Sequence, residues 1–191
     1  MRCFVAIDPP ASVRQAIAGV QERVRAAAGA IDVRWVDPAA VHVTLKFLGE
    51  VAEARIPGVV AALRTLAADT APLPLAVGGV GAFPSPRRAR VVWVGMPAGA
   101  PDLARLAGGV DRALAPLDFV PEARPWRAHL TVGRVRSPRG LGRLAAAIEG
   151  AARAEIGAWT AREVVLYQSH LRPTGAVYEA VARLPLAAAD T

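Results

Sequence analysis

Apolar residues at Val13, Ile17, Val20 and Val24 recur at helical spacing, which predicts a helix from about residue 9 to Ala28. Asp8-Pro9-Pro10 reads as its N-cap with proline in the first turn, and Gly29 as its stop. Ahead of it, residues 2–7 alternate weakly and read as a strand. After it, 31–36 is extended and Asp37-Pro38 is a turn. Val41 to Leu48, closed by Gly49, predicts the next strand. The pattern continues with a helix over about 53–68, a strand over 73–80, a loop rich in Gly, Pro and Arg over 81–90, and a strand from Ala89 to Val94. A helix over about 101–115 precedes a strand through 129–132. Ser137-Pro138 starts a helix over about 139–154. A strand over 161–168, a loop with Pro173-Thr174-Gly175 and a strand from Ala176 to Ala182 follow.

The two halves of this order match. Each reads as an extended piece, a helix, a motif strand, a helix and two strands. The expectation is an α+β fold with mostly antiparallel sheets in two lobes. At 191 residues the chain is read as a single bilobal domain over 1–191, with no flexible linker.

Composition adds limits. Hydrophobic residues make up 53%, ample for a core, yet no apolar run approaches the roughly 20 residues of a membrane span. The N-terminal apolar run is too short for a signal peptide. Cys3 is the only cysteine, which excludes an internal disulfide and fits a reducing compartment. The expected protein is cytoplasmic, with no membrane partner. A monomer is expected, although the sequence leaves the oligomeric state open. The net charge of +7, carried by arginine and the single Lys46, favours an anionic partner such as nucleic acid or a phosphorylated small molecule. The arginine excess itself reflects a G- and C-rich coding sequence.

The chemistry lies in two short frames. His42-Val43-Thr44-Leu45 and His129-Leu130-Thr131-Val132 both read His-x-Thr-apolar, 87 positions apart (129 − 42). Strand residues i and i+2 share a face, so each segment presents an imidazole beside a hydroxyl. Two imidazoles on opposite sides of a phosphate form an acid–base pair near neutral pH. Thr44 and Thr131 would donate to the non-bridging oxygens, where charge builds. A 2′,3′-cyclic phosphodiester suits such a site: it carries one negative charge and an alkoxide leaving group that needs a proton.

Strict alternation adds Arg127 to the face of His129 and Lys46 to the face of His42, and turns Phe47 and Arg134 away. Arg127 would neutralise a phosphate. Phe47 is then core. Phe83, with the arginines of 81–90, suits a rim that stacks bases. Tyr178 and Trp93 read as packing residues, and His170 as exposed. No close metal-ligand spacing, dinucleotide fingerprint or Walker loop is present, so no metal and no cofactor are expected.

Arg34-Trp35-Val36 leading into His42-Val43-Thr44-Leu45-Lys46-Phe47-Leu48-Gly49-Glu50 closely resembles the first signature of the bacterial and archaeal RNA 2′,3′-cyclic phosphodiesterases. These are also called 2′-5′ RNA ligases and belong to the 2H phosphoesterase superfamily. Phe83-Pro84, Val92-Trp93-Val94-Gly95, His129-Leu130-Thr131 with Arg134, and Ser169 through Gly175 to Tyr178 resemble that family in the same order. The resemblance spans nearly the whole chain. It implies a bilobal 2H phosphoesterase fold: two pseudo-symmetric lobes, each with an antiparallel sheet and helices, and the active-site cleft between them. It implies metal-independent hydrolysis of RNA 2′,3′-cyclic phosphate ends to a 2′-phosphate. His42 corresponds to the proton donor to the leaving 3′-oxygen and His129 to the base that activates water. The reverse reaction would make a 2′-5′ bond. Trp126-Arg127-Ala128 departs from the pattern, since members often carry proline just before the second histidine. Two other readings remain at this point. One is an RNA-end-binding protein without turnover. The other keeps the chemistry on a small cyclic nucleotide or an ADP-ribose cyclic phosphate.

Overall fold

The computed structural model describes residues 1–123, 125–172 and 175–188. Among the described residues, nine strands join into one curled antiparallel sheet. In chain order the elements are β1 (Arg2–Ile7), α1 (Ala11–Ala28), β2 (Val33–Trp35), β3 (Val43–Glu50), α2 (Ile56–Ala68), β4 (Leu73–Phe83), β5 (Val91–Ala98), α3 (Ala100–Leu114), β6 (His129–Val135), α4 (Leu141–Gly150), β7 (Glu155–Ala161), β8 (Glu163–Arg172) and β9 (Gly175–Pro185). The strand order is β7-β4-β5-β6-β3-β1-β8-β9, with β2 alongside β6.

The two lobes do not coincide with the two halves of the chain. β3 pairs with β1, and β1 with β8 of the second half. β6 pairs with β5 of the first half. Each motif strand thus lies in a half-sheet completed by a hairpin from the other half. Helices α2 and α3 back one lobe, and α1 and α4 back the other. At the seam, β3 and β6 share the bridge Val43↔Leu130.

The main core lies between the sheet and the helices. It takes Cys3, Val5 and Ile7 from β1, the α1 stripe Val13, Ile17, Val20 and Val24, and Leu130 and Val132 from β6. The opposite face of β1 carries a second, small cluster of Phe4, Ala6, Val165 and Tyr167, with Tyr178 against it. That inner face lines the cleft.

Several expectations are corrected. The helix predicted to Ala154 ends at Gly150, and Glu155–Ala161 is strand β7, paired with β4. The Ala/Arg run of 151–154 has helical propensity, but the carbonyls of Ala151 and Ala154 instead accept from Val80 and Gly79. β4 runs on through Phe83 into the predicted loop, because Gly81, Ala82 and Phe83 pair with Trp93, Val92 and Val91. Asp8 is not the cap of α1, which starts behind Pro10 with no side-chain cap. Its carboxylate accepts from the Tyr167 hydroxyl at 2.6 Å and pairs with Arg14 at 3.3 Å. The Pro173-Thr174 part of the predicted loop lies outside the described residues.

The alternation also fails within each motif strand, at one matching place in both and, in β3, again at Leu48. Between β1 and β3, Ala6 opposes Thr44 and Val5 opposes Lys46, so Leu45 is an extra residue. Between β5 and β6, Trp93 opposes Thr131 and Val92 opposes Gly133, so Val132 is extra. The two bulges are 87 positions apart (132 − 45), the same offset as the histidines. A bulge turns the following residues onto the other face. Phe47 therefore comes to the face of His42 and Thr44, and is 66% exposed rather than core. Arg134 comes to the face of Thr131. Lys46 goes the other way and is buried against α3, where its ammonium meets Asp111 Oδ1 at 2.5 Å and the Val120 carbonyl at 2.7 Å.

Candidate active site

Each motif histidine stands at the start of its strand with one ring nitrogen tied down. His42 Nδ1 lies 2.8 Å from the carbonyl of Ala40, and His129 Nδ1 lies 2.8 Å from the carbonyl of Arg127. A carbonyl oxygen only accepts, so Nδ1 carries the hydrogen and the neutral ring offers Nε2 as its basic atom. The two anchors are the same bond in the two lobes, to the residue two places back.

Ring contacts hold both imidazoles. Phe4 stacks on His42 with centroids 4.7 Å apart, and Tyr178 meets it edge-on at 5.1 Å. Phe83 meets His129 edge-on at 5.1 Å and leans on Trp93 at 5.3 Å. Trp93 in turn requires a glycine at position 81, since a Cβ there would clash with its six-membered ring. The indole of Trp126 donates to the Thr44 carbonyl at 3.0 Å, tying the approach to the second motif to the strand of the first. Gln21 of α1 donates to the carbonyls of Val36 and Val132 at 2.8 and 3.0 Å, which satisfies the bulged residue of β6.

Burial dominates the electrostatics. It pushes the His42 imidazole below its ordinary value, and the charges of Arg14 and His129 push the same way. The Ala40 bond and the Asp8 carboxylate oppose this. Burial also lowers His129, against the Arg127 bond, and the Arg134 charge adds to the lowering. Tyr167 is pushed up to about 12 by burial and by its bond to Asp8, so it remains a neutral donor.

Among the sequence-predicted residues, His42 and Thr44 share the inner face of one half-sheet. Phe83, His129 and Thr131 share that of the other. Arg127 is exposed just ahead of β6, and the guanidinium that acts on His129 is that of Arg134. His170 lies on the β8–β9 hairpin, paired with Glu179 at 3.0 Å. Sequence reasoning missed Arg134 and Phe47 as inner-face residues, and Phe4 as the partner of His42. The bulges that decide the first two leave no mark on a simple alternation. Phe4 was findable, because it alternates with Ala6 on the strand beside the first motif.

The model of the LigT-like phosphoesterases matches this chain twice in succession, over residues 7–93 and 94–178, one motif in each match. The chain belongs to the LigT-like phosphoesterase family. A protein of Methanothermobacter thermautotrophicus named RNA 2′,3′-cyclic phosphodiesterase is 34% identical over 93% of this chain and 95% of its own length. A protein of the same name from Thermus thermophilus is 31% identical over 97% of this chain and 90% of its own. A solved Thermus thermophilus structure superposes with a TM-score of 0.81 at 28% identity over the whole of both chains. Escherichia coli LigT, solved with 3′-AMP, superposes at 0.75 with 26% identity over 97% of each chain. The paired lobes, the antiparallel half-sheets and the cleft are thus those of a LigT-like, two-histidine phosphoesterase.

Proposed function

We propose that this chain hydrolyses RNA 2′,3′-cyclic phosphate ends to 2′-phosphates, with His42 and His129 as acid and base. The observation that carries this reading is the matched pair of Nδ1–carbonyl anchors, which frees both Nε2 atoms for proton transfer. The names of the relatives and the 3′-AMP complex of Escherichia coli LigT support the substrate class.

In the proposed step, neutral His129 takes a proton from water as the water oxygen bonds to phosphorus. The bond from phosphorus to the 3′-oxygen breaks, and protonated His42 gives its proton to that oxygen. The product is a 2′-phosphate with a free 3′-hydroxyl, and proton exchange with solvent resets both rings. The Thr44 and Thr131 hydroxyls donate to the non-bridging oxygens. Arg127 and Arg134 offset the negative charge, and Phe83 borders the bound nucleotide while buttressing His129. By microscopic reversibility the same groups would join a cyclic end to a 5′-hydroxyl in a 2′-5′ bond.

The test is phosphorus NMR of the product from an oligonucleotide ending in a 2′,3′-cyclic phosphate, with EDTA present. A 2′-phosphate monoester is expected. His42→Ala and His129→Ala should each lower kcat by roughly 10²–10⁴. Undiminished turnover in either variant would remove the acid–base reading, and a 3′-phosphate product would reverse the assigned bond cleavage.

A further inference from the structure

Arg34 sits in the middle of β2 and directly opposes Arg134 of β6. Opposed residues of an antiparallel pair project from the same face, with Cα atoms about 4.5–5.5 Å apart. Two like charges in that relation destabilise a sheet. Among the described residues neither guanidinium has a carboxylate partner. The Nη2 of Arg34 is fully covered and has no acceptor among the described residues. The cover includes Gly175 at the start of β9, where a Cβ would come within 2.7 Å of that nitrogen. The backbone there has φ 148°, which favours glycine. The β8–β9 hairpin of one lobe thus closes over an arginine of the other and holds it half-buried without a counter-ion.

A cation confined as Arg34 is costs free energy unless an anion completes it. The bulge at Val132 has put Arg134 on the face of Thr131, the inner face that also carries His129. Arg34 stands one strand further from the histidine, along the same face. We propose that Arg34, beside Arg134, forms a second phosphate subsite, which takes the phosphate on the 5′ side of the terminal nucleotide. This rests on the reaction proposed above. An RNA strand ending in a cyclic phosphate carries its next negative charge on that 5′ phosphate, whereas a free cyclic mononucleotide carries none there. The planar guanidinium fork suits two phosphate oxygens. The subsite therefore selects RNA ends over small cyclic nucleotides.

Three substrates test it: adenosine 2′,3′-cyclic phosphate, the same compound with a 5′-phosphate, and a dinucleotide ending in the cyclic phosphate. The wild type should show a KM lower by about tenfold or more for the latter two, the worth of one charge-assisted pair. Arg34→Gln should erase that gap while leaving kcat/KM for the plain cyclic nucleotide within about twofold, which also reports that the variant is folded. Arg34→Lys should retain part of the gap. Equal losses on all three substrates, or no wild-type preference, would overturn the subsite. If the wild type turns over none of them, the reaction reading falls instead. The subsite is then decided by equilibrium binding of adenosine 3′,5′-bisphosphate against adenosine 3′-monophosphate: Arg34→Gln must abolish a wild-type preference for the bisphosphate, and an unchanged or absent preference refutes it.

Discussion

The two imidazoles share an anchor but not an environment. His42 is sandwiched by Phe4 and Tyr178, with Asp8 and Arg14 acting on it in opposite senses, while His129 feels Arg134. Burial lowers both. The proposed reaction uses one ring protonated and one neutral, so kcat/KM should peak on the acid side of the ordinary imidazole value of about 6.5. An initial-rate profile checks this, and a maximum well above that value would contradict it. The same shifts bear on stability. A ring with a depressed native pKa takes up its proton more readily in the unfolded chain. Stability is then complete above about pH 6.5 and falls as pH drops through the lowered values. Urea unfolding at about pH 7.5 and about pH 5 should show this decline, and His42→Asn should flatten it. An equal decline in that variant would assign the effect to other groups.

Individual elements owe their function to the places where they break their own period. The bulges at Leu45 and Val132 are what bring Phe47 and Arg134 to the inner face, and Lys46 to the outer one. Lys46 is thereby committed to a buried pair with Asp111 of α3, whose other oxygen accepts from the Glu122 amide at 3.4 Å. The pair ties the 118–123 segment to the strand of the first motif. Its two partners are unequally buried, with side chains 5% and 24% exposed. Removing the carboxylate strands an ammonium away from water, whereas removing the ammonium leaves a carboxylate that water reaches. Asp111→Ala should therefore cost about 3–5 kcal/mol, or roughly 10 °C in Tm. Lys46→Met should cost clearly less. Calorimetry of the two variants decides it, and the reverse order would refute the burial argument.

For the molecule as a whole, the decisive feature is the seam. The half-sheets meet at Val43↔Leu130, so other contacts must help to hold the spacing between the histidines. Trp126 supplies one, spanning from the approach to β6 to the Thr44 carbonyl. Replacing it by phenylalanine keeps the ring mass and deletes the donor. The expected outcome for Trp126→Phe is a loss of about 0.5–1.5 kcal/mol in urea unfolding. A several-fold fall in kcat should accompany it, with KM little changed, because the groups misplaced are those of the proposed chemical step. Wild-type kcat in a destabilised Trp126→Phe would show that the indole supports the fold without setting the site.

By itself the sequence determined the helices, the motif strands, the α+β class and the paired His-x-Thr frames. These rest on local periodicity and on spacing along the chain, which one sequence displays directly. Val13, Ile17, Val20 and Val24 mark α1 because one helix face must be apolar wherever that helix packs. Tertiary structure alone decided the rest. Which hairpin completes which lobe depends on pairings between distant residues, such as Phe4 with Tyr167 and Val91 with Arg134. Which face Phe47, Lys46 and Arg134 take depends on bulges that exist only against a partner strand. Glu155–Ala161 becomes a strand because β4 offers it an edge, overriding the helical propensity of the run before it. The opposition of Arg34 and Arg134, and the hairpin closed over Arg34, likewise arise only when three separate segments meet.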